Sequence, residues 1–138
     1  MTGGFIPDFE KVPFNRFLGI QLGPCDQESA ELRLPPREEF RQEVGIVHGG
    51  VVSGLADSAC VYALRQTVED GVETFTSIEF KLNFLSAAIP EGEPLTARSK
   101  QVKRGRKVGV AEVEVSQDTR LLAKGLFTYL FFMPDSPR

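Results

Sequence analysis

A chain of 138 residues carrying 16 basic and 19 acidic side chains, two cysteines and a single histidine amounts to one domain, residues 1–138, whose core needs neither disulfides nor a structural metal. Cys25, Cys60 and His48 are its only sulfur and imidazole ligands, so a Cys/His zinc cluster and a disulfide framework are excluded, which suits a reducing cytoplasm. The formal net charge of −3 argues against a global nucleic-acid or acidic-membrane binder, and any basic site has to be local.

The opening MTGGFIPDFEKV lacks the basic start and apolar core of a secretory leader, and no apolar stretch reads as membrane-spanning. Over 8–18, Phe9, Val12, Phe14 and Leu18 fall at helix-like spacing, which Pro13 limits to a short lid or packing helix. Residues 20–34 hold two extended pieces around the polar group Asp26 to Glu28, a hairpin that Pro35 and Pro36 end. Residues 37–47 have no clean period and read as a loop leading inward. A long helix is predicted over 50–68, with Val51, Val52, Leu55, Ala56, Ala59, Cys60, Ala63 and Leu64 at three- and four-residue offsets and Gly71 as its terminator. Ile78, Phe80, Leu82 and Phe84 then alternate with Glu79, Lys81 and Asn83, the period of a half-buried strand. Runs at 95–102, 108–115 and 121–132 complete the strands, and 134–138 is a loose tail. Short turns between consecutive strands around one long helix define an α+β domain, an antiparallel sheet packed on a single helix.

That helix is unusual on both sides. Val52, Leu55, Ala56, Ala59 and Ala63 make an ordinary core face, but the opposite side, Gly50, Ser53, Gly54, Asp57, Val61 and Leu64, carries none of the Lys, Arg or Glu that a solvated face collects. A helix small or apolar all round is covered all round, and the glycine side is expected to receive a second subunit. Asp57 is the one charge from Gly49 to Leu64. Two readings stay open for it: a carboxylate at a wet rim or bonded to a neighbouring loop, or a desolvated catalytic group. The helix start favours the second, since His48, Gly49 and Gly50 place backbone amides, unobstructed by side chains, at the positive end of the helix, where a developing oxyanion is stabilised. Eight residues, or about 12 Å of helical rise, separate Gly49 from Asp57. One chain cannot bring both to the same atom, so a shared site needs an antiparallel partner helix.

HGGVVSGLADSACVYAL, SIEFKLNFLSAA and the terminal strand LLAKGLFTYLF resemble the hotdog-fold acyl-CoA thioesterases of the phenylacetate-degradation-type, thioesterase superfamily member 2-like branch. The likeness spans about 18–132. It implies a hotdog fold, in which a curved antiparallel sheet wraps a long central helix, a homodimer or dimer of dimers, and acyl-CoA bound at the dimer interface without metal or redox cofactor. By that resemblance Asp57 is the catalytic carboxylate, nucleophile or general base, and Gly49 supplies the amide that polarises the thioester carbonyl. Ser77 helps to orient water. Gln42 stands where many members carry asparagine. His48 and Gly50 are supporting residues.

From Arg98 to Lys107 six of ten residues are basic and none is acidic. Such a run serves a solvated hairpin, and it also suits the phosphates of coenzyme A, with Lys103, Arg104 and Arg106 as the candidate ligands. The expected activity is hydrolysis of an acyl-CoA or arylacyl-CoA thioester. A non-catalytic acyl-CoA-binding or sensing protein on the same scaffold is the alternative, and a hotdog dehydratase ranks last because His48 precedes the glycines.

Overall fold

The computed structural model describes residues 9–65 and 74–132. The predicted helix terminator Gly71 and the tail 134–138 lie outside them. The chain opens with a 3-10 turn, Phe9–Lys11, and a short helix α1, Pro13–Leu18. Pro13 stands in the first turn of α1 rather than interrupting it, where its missing N–H costs nothing. Gly19 ends the helix at φ +82°, donating its amide to Asn15 O and Arg16 O. Arg37 reinforces that end by donating to Phe17 O at 2.8 Å.

Strands β1 (Gln21–Cys25) and β2 (Ser29–Leu34) form the expected hairpin. Its turn is tied by Asp26, whose Oδ1 accepts from the amides of Glu28 at 2.8 Å and Ser29 at 2.9 Å. The Glu28 amide first, then Ser29, holds the Asp26 carboxyl below the usual carboxylate range. Within the predicted loop a 3-10 turn, Glu38–Phe40, buries Phe40, and Gly45 takes φ +89° in the tight turn that follows.

The long helix α2 runs Gly49–Arg65 and is followed by β3 (Thr74–Phe84), β4 (Leu95–Arg104), β5 (Val108–Gln117) and β6 (Arg120–Phe132). All six strands form one antiparallel sheet in the order β1-β2-β4-β5-β6-β3. Helix α2 packs mainly on β2, β4 and β5, with β3 and β6 barely reached. Leu55, Ala56, Ala59, Ala63 and Leu64 of α2 meet Leu32, Leu95, Ala97, Val113 and Val115 in a fully buried core. Small residues on the helix let it sit close to the sheet. Ser99 adds a polar tie, its buried hydroxyl donating to Ala59 O at 2.6 Å. Cys60 is a buried filler, as its apolar neighbours predict, and burial pushes its thiol well up.

Two expectations change. Strand β3 starts at Thr74, earlier than the alternating run, and a bulge between Ser77 and Glu79 switches which parity shares the face of Tyr129 and Phe127. The second change is that Ile78, Phe80 and Phe84 are 54%, 50% and 55% exposed rather than half-buried. β3 is an edge strand, and α2 covers its apolar row only thinly, with Gly49 against the Phe84 ring.

Candidate active site

The start of α2 is set by His48. Its Nδ1 accepts from the Gly50 amide at 2.7 Å, and its carbonyl accepts from Val51 N at 3.0 Å, so the imidazole serves as an N-terminal cap. This alters the expectation that both glycine amides are open. Gly50 is engaged, whereas the Gly49 amide meets no acceptor among the described residues. The Phe84 ring lies over Gly49, 3.3 Å from where a side-chain carbon would begin. A side chain at this position would crowd that ring.

Gly49 and Gln42 share the wall of a cleft of about 270 Å³, together with Ile46, Val52, Phe84 and Leu122. Gln42 is half-buried there, and its Oε1 accepts from Val44 N at 2.5 Å, which leaves the amide nitrogen as the group to offer a ligand. Gln117, which the sequence reading did not single out, ties the chain segment that continues from one wall of the cleft. Its buried side chain accepts from Ile89 N at 2.8 Å and donates to Ile89 O and Glu93 O, pinning the connection between β3 and β4 that lines the cleft.

Asp57 lies two turns along α2 and does not line this cleft. Its carboxyl is half-buried, and among the described residues no basic side chain pairs with it. Tyr129 of β6, missed in the sequence reading, donates its hydroxyl to Asp57 Oδ1 at 2.5 Å. Desolvation by burial, the larger influence, holds the Asp57 carboxyl above its ordinary value, and the Tyr129 hydrogen bond acts against it. Ser77 is the cross-strand partner of Tyr129 in the β3–β6 ladder, so the two side chains share a face. The residues fall into two groups: Asp57 of α2 with Tyr129 of β6 and its ladder partner Ser77 of β3, and Gly49 with Gln42 around the helix start.

The glycine side is partly covered from within the chain. Phe14 of α1 lies on Gly54, its ring edge 2.9 Å from where a side-chain carbon would begin, and Ser58 donates to Asn15 Oδ1 at 3.1 Å. At Gly54 part of the expected cover is thus supplied by the chain's own α1. Gly50 stays exposed, and Ser53, Asp57 and Val61 stay partly exposed.

In the basic segment Arg98 pairs with Glu31 at 3.0 Å. Arg104 turns its guanidinium over the Phe131 ring, 4.0 Å from the centroid, and donates to Gly105 O at 2.5 Å. It is half-buried, which removes it from the exposed cations, while Lys103 and Arg106 face solvent at the β4–β5 turn. Among the described residues no three His, Cys, Asp or Glu side chains gather to hold a metal ion, and no helix is long and apolar enough to cross a membrane.

The sequence pattern of the thioesterase superfamily matches residues 44–124, from the loop before His48 into β6. The chain belongs to the thioesterase superfamily. Among its curated relatives is the medium/long-chain acyl-CoA thioesterase YigI of Escherichia coli, 29% identical over 134 residues that cover 86% of this chain and 85% of YigI. A crystal structure of a thioesterase family protein from Silicibacter pomeroyi superposes with a TM-score of 0.81 at 30% identity, covering 91% of this chain and 93% of that one. The E. coli PaaI protein of the phenylacetic acid degradation operon shares the fold, with a TM-score of 0.81 at 22% identity over 90% of this chain and 87% of its own. The architecture is accordingly the hotdog fold, and the protein is a thioester hydrolase.

Proposed function

We propose that this thioesterase hydrolyses an acyl-CoA thioester at sites shared between two copies of the chain, with Asp57 as the carboxylate that acts on water or on the carbonyl carbon. The observation that carries this is Asp57 itself: a half-buried carboxylate held at one oxygen by Tyr129, with no basic partner among the described residues, on the helix whose first amide, Gly49, finds no acceptor among them. In the water route Asp57 takes a proton from water as the oxygen adds to the thioester carbon. The Gly49 amide receives the oxyanion, and the thiolate of coenzyme A leaves as the carbonyl re-forms. In the direct route a carboxylate oxygen adds instead, the C–S bond breaks to release the thiolate, and water then opens the mixed anhydride to the free acid and the regenerated carboxylate. Ser77, on the face of Tyr129, orients the water, and the Gln42 amide nitrogen binds beside the thioester.

Geometry supports the need for a second copy. Gly49 and Asp57 stand about 12 Å apart along one helix, so a thioester on one amide meets the carboxylate of a neighbouring chain. The free edge and exposed apolar row of β3 supply the surface for that neighbour. Lys103 and Arg106 are the cations open to the coenzyme A phosphates, with His48 and Gly50 shaping the helix start.

Purified protein assayed against a panel of acyl-CoAs, beside Asp57→Asn, tests this reading. The variant is expected to lose about 30- to 1000-fold in turnover, the scale of about 2–4 kcal/mol of transition-state stabilisation. Equal rates in both proteins sink the assignment of Asp57, and saturable binding without turnover in the native protein supports a binding module instead.

A further inference from the structure

We infer that Tyr129 is the positioning residue of Asp57, clamping Oδ1 so that Oδ2 is the oxygen presented to the reacting groups. This rests on the thioesterase reading above and adds a residue to it. Tyr129 is 1% exposed, in a strand of otherwise apolar inward residues, and its hydroxyl lies 2.5 Å from Asp57 Oδ1 and 3.1 Å from the Asp57 carbonyl. A phenol has one proton, and the shorter, charge-assisted contact takes it. The ring is fixed independently of that bond. Phe75 meets it edge to face with centroids 5.7 Å apart, and β6 holds its backbone between β3 and β5. A rigid donor on a sheet, aimed at a carboxylate on a helix, fixes the carboxylate's rotation about its last torsion.

The titratable groups facing Asp57 are few. β6 contributes the Tyr129 phenol, and α2 contributes the Cys60 thiol. β3 brings Phe75 and Ser77 beside Tyr129, and α1 brings Phe14 and Asn15 to neighbouring turns of α2, none of them charged. A hydrogen bond donated to the ionised form favours that form, so Tyr129 keeps Asp57 usable as a base at a depth where burial opposes ionisation.

The test is Tyr129→Phe in the full chain, which keeps the ring and its packing. Two readings are taken: the acidic limb of the kcat/KM pH profile, and the titration of the Asp57 carboxyl by carbon NMR of aspartate-labelled protein, assigned against Asp57→Asn. Both are expected to move upward by about one pH unit, a tenfold change in the ionisation equilibrium. 3-Fluorotyrosine at position 129 preserves shape and strengthens the donor, so it moves both downward and decides the matter if the phenylalanine variant does not fold. An unmoved carboxyl titration, or a rate loss equal at every pH, overturns the proposal. If native protein turns over no acyl-CoA, the catalytic reading falls, while the carboxyl titration still judges the Tyr129 contact.

Discussion

Asp57 shows how a single residue sets stability against chemistry. Burial, partly offset by Tyr129, holds its folded carboxyl above the range it has in the unfolded chain. Ionising it therefore costs stability. That cost is absent below the ordinary aspartate value of about 3.9 and grows as pH rises through the interval up to the folded value. Asp57→Asn removes the cost and keeps an oxygen for the Tyr129 hydroxyl. It is expected to melt above the native protein near neutral pH, with the difference closing in acid below the ordinary carboxyl range; thermal unfolding across pH measures this. A variant that is both slower and more stable identifies a site kept for function rather than for folding.

Among the elements, β3 carries the most consequence. It pairs with β6 along almost its whole length, and Gly125 of β6 makes that pairing possible. A side-chain carbon there would stand 2.0 Å from Lys81 O and 2.8 Å from Leu82 Cα, both backbone atoms that cannot turn aside. Gly125→Ala is expected to destabilise the fold by about 1–3 kcal/mol, read from denaturant midpoints, and to loosen β3 ahead of the other strands, read by amide exchange. The loss reaches the site, because β3 carries Ser77 and ends in the Phe84 ring over Gly49. The bulge between Ser77 and Glu79 matters for the same reason: before it Ser77 shares the face of Tyr129, and after it Phe80, Leu82 and Phe84 take that side. Period-two alternation marks the strand from Ile78 onward, but an inserted residue changes which parity faces inward, and nothing in the local pattern records the insertion.

For the molecule as a whole, the sheet has two unlike edges. β1 is five residues long and interrupted by Gly23 and Pro24, a blunted edge, whereas β3 is eleven residues long and apolar on one side. Association along β3 is the expected use of that contrast. Sedimentation is expected to give at least a dimer at working concentrations. Phe80→Lys, which places a charge in the exposed row where Phe80 stacks on Phe127 at 4.7 Å, is expected to shift the protein toward monomer and to lower turnover in parallel. A monomer with full native activity contradicts the shared site.

Residue order alone was enough for the hairpin, the long helix, the later strands and the HGG start with its aspartate nine residues beyond His48. These follow from periodicity, turn chemistry and a helix with a single charge from Gly49 to Leu64, all local properties. Tertiary structure decided the rest. The Tyr129 hydroxyl reaches Asp57 across 72 residues, and a tyrosine among strand apolars reads the same whether its hydroxyl finds a carboxylate or a carbonyl. The Gly54 side received Phe14 because α1 folds back over α2, and Arg104 is half-buried because its ladder partner is Gly109, whose missing side chain leaves room for the Phe131 ring of the next strand. His48 took the Gly50 amide that had looked open, since capping geometry depends on how the preceding loop turns. The contacts of Tyr129, Phe14 and Arg104 are set by the register of distant strands and the seat of one helix on another, which no stretch of neighbouring residues encodes.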